Sequence, residues 1–117
     1  MNGHVVVTAS AFASVCEATD QPPTLIVFNA CSSAGTADSL VRRFAPLAVG
    51  MAGRIEDGDA LNYAAALYSA IANGHSVRSA HMAGRASIEL IGGDHDLPYL
   101  AEGSGVDASV VLLVKER

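Results

Sequence analysis

A chain of 117 residues is long enough for one domain with one hydrophobic core. Half of its residues are apolar and 16% are charged, which excludes a disordered chain. The formal net charge is −5, Lys115 is the only lysine and there is no basic run, so no nucleic-acid partner is expected. No apolar stretch approaches the length of a membrane span, and no membrane partner is expected either. Met1-Asn2-Gly3-His4 lacks the cationic start of a signal peptide, and Cys16 and Cys31 alone make no disulfide framework. A cytoplasmic location is therefore expected.

Along the chain, His4 to Thr8 is β-branched and predicts a strand. Phe12, Val15 and Cys16 recur at helical spacing and predict a short helix over 9–17, with Ser10 as a candidate cap. Asp20-Gln21-Pro22-Pro23 is a loop. Leu25-Ile26-Val27-Phe28 then runs without a polar residue, which predicts a central strand buried on both faces of a parallel sheet. Small and polar residues follow at once, and Gly35-Thr36-Ala37-Asp38 opens a helix. Cys31 thus falls at the carboxyl end of a strand, just ahead of a helix N-terminus. Open α/β sheets place their ligand crevice there, and the helix field favours an anion there.

Ala37, Leu40, Val41 and Phe44 form one apolar stripe on that helix, with Ser33 or Thr36 as its cap. Asp38 and Arg42 stand four apart and can pair. Pro46 closes the helix, and Leu47 to Ala52 predicts a second buried strand, completing a β–α–β unit. Gly53 to Asp59 is a loop at the same end of the sheet as Cys31. Its acids, Glu56, Asp57 and Asp59, are candidate substrate-binding residues lining one wall of the crevice. The competing role for Asp57 or Asp59 is to cap the next helix.

That helix is expected over 60–72, with Ala64, Leu67, Tyr68 and Ile71 buried and Asn73-Gly74 as its stop. Ser76 caps a further helix reaching about Leu90, whose inner face is Val77, Ala80, Gly84, Ile88 and Ile91. His81 lies beside that face as a half-buried packing residue. Asp94-His95-Asp96 has metal-ligating letters, but adjacent residues on a turn rarely converge on one ion and no second histidine stands at helical spacing from His95, so no metal is expected. Leu97 to Leu100 reads as an extended tether. Gly103 to Ala108 matches a dinucleotide fingerprint in letters only, because no clear strand is expected to lead in and a strand-like run, not a helix, is expected to follow, and no cofactor is expected. Val110 to Val114 predicts a closing strand.

The series has a family likeness. Leu25 to Ser33, LIVFNACSS, resembles the nucleophile strand of the CHAT family, the caspase-like cysteine peptidases related to separase. Leu47 to Gly53 resembles the family's next strand and its glycine-rich loop. Ile55 to Ala60 resembles its hydrophobic-x-acid segment, with Asp57 at the acid. Leu67-Tyr68, then Asn73-Gly74-His75-Ser76-Val77 and Ala80, resemble the pattern of its long helical pair. Asp96 to Pro98 and Val110 to Val114 resemble its terminal segments, so the likeness spans about Val5 to Val114.

The resemblance implies an α/β, three-layer caspase-like fold, a mostly parallel sheet with helices on both faces, here as a single domain over 1–117 without its N-terminal strands. It implies Cys31 as the nucleophile of a Cys–His dyad acting on a peptide or protein. The family's histidine should end the preceding strand, followed by glycine. The only upstream histidine, His4, precedes a strand and is followed by Val5. The general base is thus not found in this chain, and the chain alone is expected not to cleave peptides. The expected complement is a His-bearing N-terminal segment, a second copy in a homodimer, or another chain covering an unpaired sheet edge. Two further readings stand beside the peptidase: a non-catalytic recruitment module on a peptidase-like fold, and a small-molecule domain alike in architecture only.

Overall fold

The computed structural model describes residues 24–28, 31–43 and 46–113. The predicted strand at 4–8, the helix over 9–17, Phe44 and Val114 lie outside the described residues. Within them the order is β1 (Leu25–Val27), α1 (Ala34–Arg43), β2 (Leu47–Met51), α2 (Asp57–Ala72), α3 (Val77–Leu90) and β3 (Pro98–Glu102). A 3-10 turn over Ala108–Val110 follows.

The sheet order is β1-β2-β3. β1 and β2 run parallel with Leu25 opposite Leu47, as two strands joined through a helix must in this β–α–β unit. β3 runs antiparallel to β2, with Met51 opposite Pro98 and Leu47 opposite Glu102. Three corrections to the sequence reading follow. β3 leads directly into Gly103, where the sequence suggested no clear strand, although a 3-10 turn and not an α-helix follows. The described sheet is mixed and not mostly parallel, because the expected tether around Leu97 pairs as a strand. And, among the described residues, the strand flanked on both sides is β2, buried at all five positions, whereas β1 is only partly buried and pairs on one side.

Side chains of β2 alternate between two layers, as the strand period requires. Ala48 meets Ala37, Ala101 and Val41, so α1 covers one face through small contacts. Val49 and Met51 meet Tyr63, Leu67, Ile71, Ala80 and Ile88, so α2 and α3 cover the other. Leu47, on the same side, packs with Val77 and Ala108. The result is helix, sheet and helix pair in three layers, an α/β domain with helices on both faces of its described sheet.

Helix α2 begins at Asp57, three residues earlier than its periodicity suggested. Its buried residues are Ala60, Tyr63, Leu67 and Ile71. Tyr68, expected inside, is 52% exposed, and Tyr63 takes the interior place. The reason lies on α3: a Cβ at Gly84 would sit 2.5 Å from the Tyr63 ring, so the missing side chain is the space that ring fills. Ser76 caps α3 as expected, accepting from the Ser79 N–H at 3.1 Å. Ile91, read as inner, is the C-cap and is 58% exposed.

His81 is more deeply buried than the sequence suggested. Its Nδ1 lies 2.7 Å from the Tyr63 hydroxyl, and the two rings meet edge to face. Burial, reinforced by the charges of Arg85 and Arg78, pushes the His81 imidazole down to about 4. Burial likewise pushes the Tyr63 phenol well above its ordinary value. The pair is a neutral hydrogen bond inside a helix–helix interface.

The expected closing strand at 110–114 is corrected over 110–113. Asp107 accepts from the Ser109 N–H at 2.9 Å and starts the 3-10 turn, after which the chain runs irregularly to residue 113. Glu102 anchors this segment by accepting from the Ala108 N–H at 2.7 Å and from Arg78 at 2.7 Å. No helix among the described residues is long and apolar enough to cross a membrane.

Candidate functional site: a thiol groove at the ends of β1 and β2

The groove exists because β1 and β2 part company at their carboxyl ends. Their ladder is regular as far as the Phe28 N–H, which donates to the Val49 carbonyl at 2.9 Å. At the next rung the Ser33 hydroxyl is inserted. It accepts from the Met51 N–H at 2.9 Å and donates to the Phe28 carbonyl at 3.4 Å. One side chain thus bridges two backbone groups that a continued sheet would join directly. The sequence marked Ser33 only as a helix cap. Its carbonyl does accept the Ala37 N–H at the start of α1, while Thr36, the other candidate, already lies within the helix.

The turn after β1 is pinned to the loop after β2 by two more contacts. The Ser32 N–H donates to the Gly53 carbonyl at 2.9 Å, with Ser32 itself at φ 56°, a left-handed backbone uncommon outside glycine. The Cys31 thiol points at the Ile55 carbonyl, 3.6 Å away. Gly50 permits this closeness, since a Cβ there would collide with the Ser33 carbonyl.

Cys31 is exposed and lines a cavity of about 560 Å³ with Arg54, Ile55, Glu56 and Asp57. A second cavity of about 410 Å³ adjoins it, sharing Arg54 and Glu56 and reaching Asp59, Gly93, Asp94 and Leu97. The structure therefore brings three of the four sequence-predicted site residues, Cys31, Glu56 and Asp57, into one cavity. Asp59 is set one cavity further on, its carboxylate against Gly93. Neither Asp57 nor Asp59 caps α2. Glu56 holds that position without a side-chain cap bond, and the two aspartates sit in the first turn, where the helix field favours negative charge.

Arg54 and Asp94 escaped the sequence reading of the site. Arg54 is the one cation in the loop from Gly53 to Asp59, a signal that was present but overshadowed by the acids. Asp94 reaches the groove only through the fold. Together the lining carries four carboxylates against one guanidinium, a wall that attracts cationic ligands.

The described histidines stand elsewhere. α2 starts beside the Cys31 cavity and runs 16 residues, roughly 24 Å, so His75 beyond its end lies at the far side. His81 is enclosed with Tyr63. His95 sits in a turn fastened by Arg85, which donates to the His95 carbonyl at 2.8 Å and pairs with Asp96 at 2.6 Å. Among the described residues no group of three or more ligating side chains could hold a metal. Asp38, expected to pair with Arg42, accepts from the Tyr99 hydroxyl at 2.8 Å and ties α1 to β3.

Replacing Ser33 with alanine is expected to lower stability by about 1–3 kcal/mol, because the buried Met51 N–H loses its partner. Urea denaturation monitored by circular dichroism checks this, and Ser33→Thr, which keeps the hydroxyl, should recover part of the loss. The sequence of the chain matches no protein-family model and no curated protein.

Proposed function

We propose that the chain is a caspase-like, CHAT-type cysteine peptidase domain, or part of one, with Cys31 as its nucleophile. The observation that carries this reading is the position of Cys31: an exposed thiol at the carboxyl end of β1, opening into a groove with an acidic wall. In the proposed reaction the Cys31 sulfur attacks a peptide carbonyl and an imidazole takes the thiol proton. The imidazole then gives that proton to the departing amine, and water hydrolyses the thioester, returning the thiol. Glu56, Asp57 and, one cavity along, Asp59 would hold the substrate's cationic groups.

The dyad's imidazole is the part unaccounted for, since no histidine lines the Cys31 cavity among the described residues. That observation favours a second reading, a non-catalytic recruitment module that binds peptides in the same groove. A library of fluorogenic peptides separates the two. The purified 117-residue chain is expected to give no turnover, whereas supply of a His-bearing segment or partner restores it under the peptidase reading only. Turnover by the chain alone that disappears in Cys31→Ser would show that the base is already present.

A further inference from the structure

Helix α2 carries a second surface that the groove does not use. From Ala60 to Ala72 it contains no charged residue. Its core side is Ala60, Tyr63, Leu67 and Ile71, yet Leu61 is 71% exposed and Tyr68 52%, with Ala65 and Ala72 exposed between and beyond them. Positions 61, 65, 68 and 72 follow the 4-3-4 spacing of a two-helix seam. At 100° per residue they lie on the flank of α2 nearly opposite Tyr63, whose ring meets Gly84 and His81 of α3.

We propose that this flank is a self-association seam, on which the α2 helices of two copies of the chain pack antiparallel about a two-fold axis. The order of side chains selects both the occupant and the direction. With the axis midway between residues 66 and 67, Leu61 falls opposite Ala72 of the other copy, and Ala65 opposite its Tyr68. Every layer then joins one large and one small residue, and the pattern is complementary to itself, as an isologous contact requires. A parallel pairing would stack Leu61 on Leu61 and Tyr68 on Tyr68, with empty alanine layers between. It would also set both copies' Asp57 and Asp59 side by side, whereas the antiparallel pair separates them by the helix length, roughly 24 Å, and opposes the helix dipoles. A single helix seam is smaller than the roughly 800 Å² per partner of a standard stable interface, so the dimer should dissociate on the order of tens of micromolar.

Sedimentation equilibrium of the full chain from about 1 to 500 µM tests this. The mass should rise from 12.0 kDa toward twice that value. Ala65→Glu, a helix-compatible change at an exposed position, should stay monomeric with unchanged circular dichroism. Leu90→Glu places the same charge on a residue 86% exposed at the end of α3, away from the seam, and should associate like the parent. Leu61→Cys combined with Ala72→Cys, in a Cys16→Ser, Cys31→Ser background, should oxidise to a covalent dimer. Positions 61 and 72 of one helix stand about 16 Å apart, too far for an internal bridge. A monomer across the whole range, association untouched by Ala65→Glu, or no covalent dimer from the double cysteine variant would each overturn the seam. The cross-linking result decides the matter if Ala65→Glu does not fold.

Discussion

Gly50→Ala is expected to be among the most damaging single substitutions in the chain, lowering stability by about 3 kcal/mol. Gly50 lies in β2, the fully buried strand, directly beneath the start of α1. An added Cβ would meet the carbonyl carbon of Ser33 and the Cα of Ala34, both backbone atoms, so no side-chain rotation relieves the contact. Relief requires α1 to shift off the sheet, and overpacking of this kind costs about 1–3 kcal/mol, occasionally more. The same shift would pull on the Ser33 bridge and the Cys31–Ser32 turn, so the groove should lose its shape along with the stability. Gly58→Ala is the contrasting case. Gly58 stands in the first turn of α2 with open space around it, and alanine there should stabilise by about 0.4–1 kcal/mol. Denaturant midpoints at constant m-value measure both. Equal, small effects at the two glycines would contradict the packing described.

The second large effect is a loss of stability in acid carried by His81. Its imidazole ionises at about 4 in the folded chain and near 6.5 when unfolded. Above 6.5 both states are neutral and the group makes no pH-dependent contribution. As the pH falls from 6.5 toward 4 the unfolded chain takes up a proton that the folded chain refuses, and stability declines. Below about 4 both states are protonated and the decline from this group ends. The difference amounts to about 3 kcal/mol at most. His81→Gln keeps an acceptor for the Tyr63 hydroxyl but does not titrate, so its stability should decline less steeply than the parent's over the same interval, the remaining slope coming from carboxylates such as Glu102. Parallel profiles for the two proteins would place the acid sensitivity elsewhere.

Much of the scaffold was legible in the sequence, because apolar residues at helical spacing and unbroken apolar runs report burial directly. The stripes Ala37-Leu40 and Val77-Ala80-Gly84-Ile88 are buried as read, and Leu47 to Met51 is a buried strand. Failures occurred where a partner decides. Tyr63 and Tyr68 share a helix rich in alanine, which offers no contrast between its faces, and only Gly84 on the neighbouring helix determines which ring goes in. Leu97 to Leu100 reads as a tether, yet among the described residues Pro98 opens an edge strand, where proline is admissible as the first residue because its missing N–H is not needed. The β-branched residues after Ala108 suggested a strand, but Asp107 turned the chain first. In the site, the carboxyl-end position of Cys31 and its nearness to Glu56 and Asp57 followed from β–α–β topology alone. The Ser33 bridge did not, because nothing in a serine's letter tells a cap from a rung.

Cys31 offers its thiol inside a groove lined by four carboxylates and one guanidinium. The most direct measurement is the rate of Cys31 modification by peptidyl chloromethyl ketones in a Cys16→Ser background, with lysine or glutamate next to the reactive carbon. Saturable kinetics are predicted, with the lysine reagent at least about fivefold faster than the glutamate reagent at low salt. That preference should fade in Glu56→Gln combined with Asp57→Asn. Modification that rises linearly with reagent, ignores its charge and runs at the rate of free cysteine would mean that Cys31 sits in no such groove.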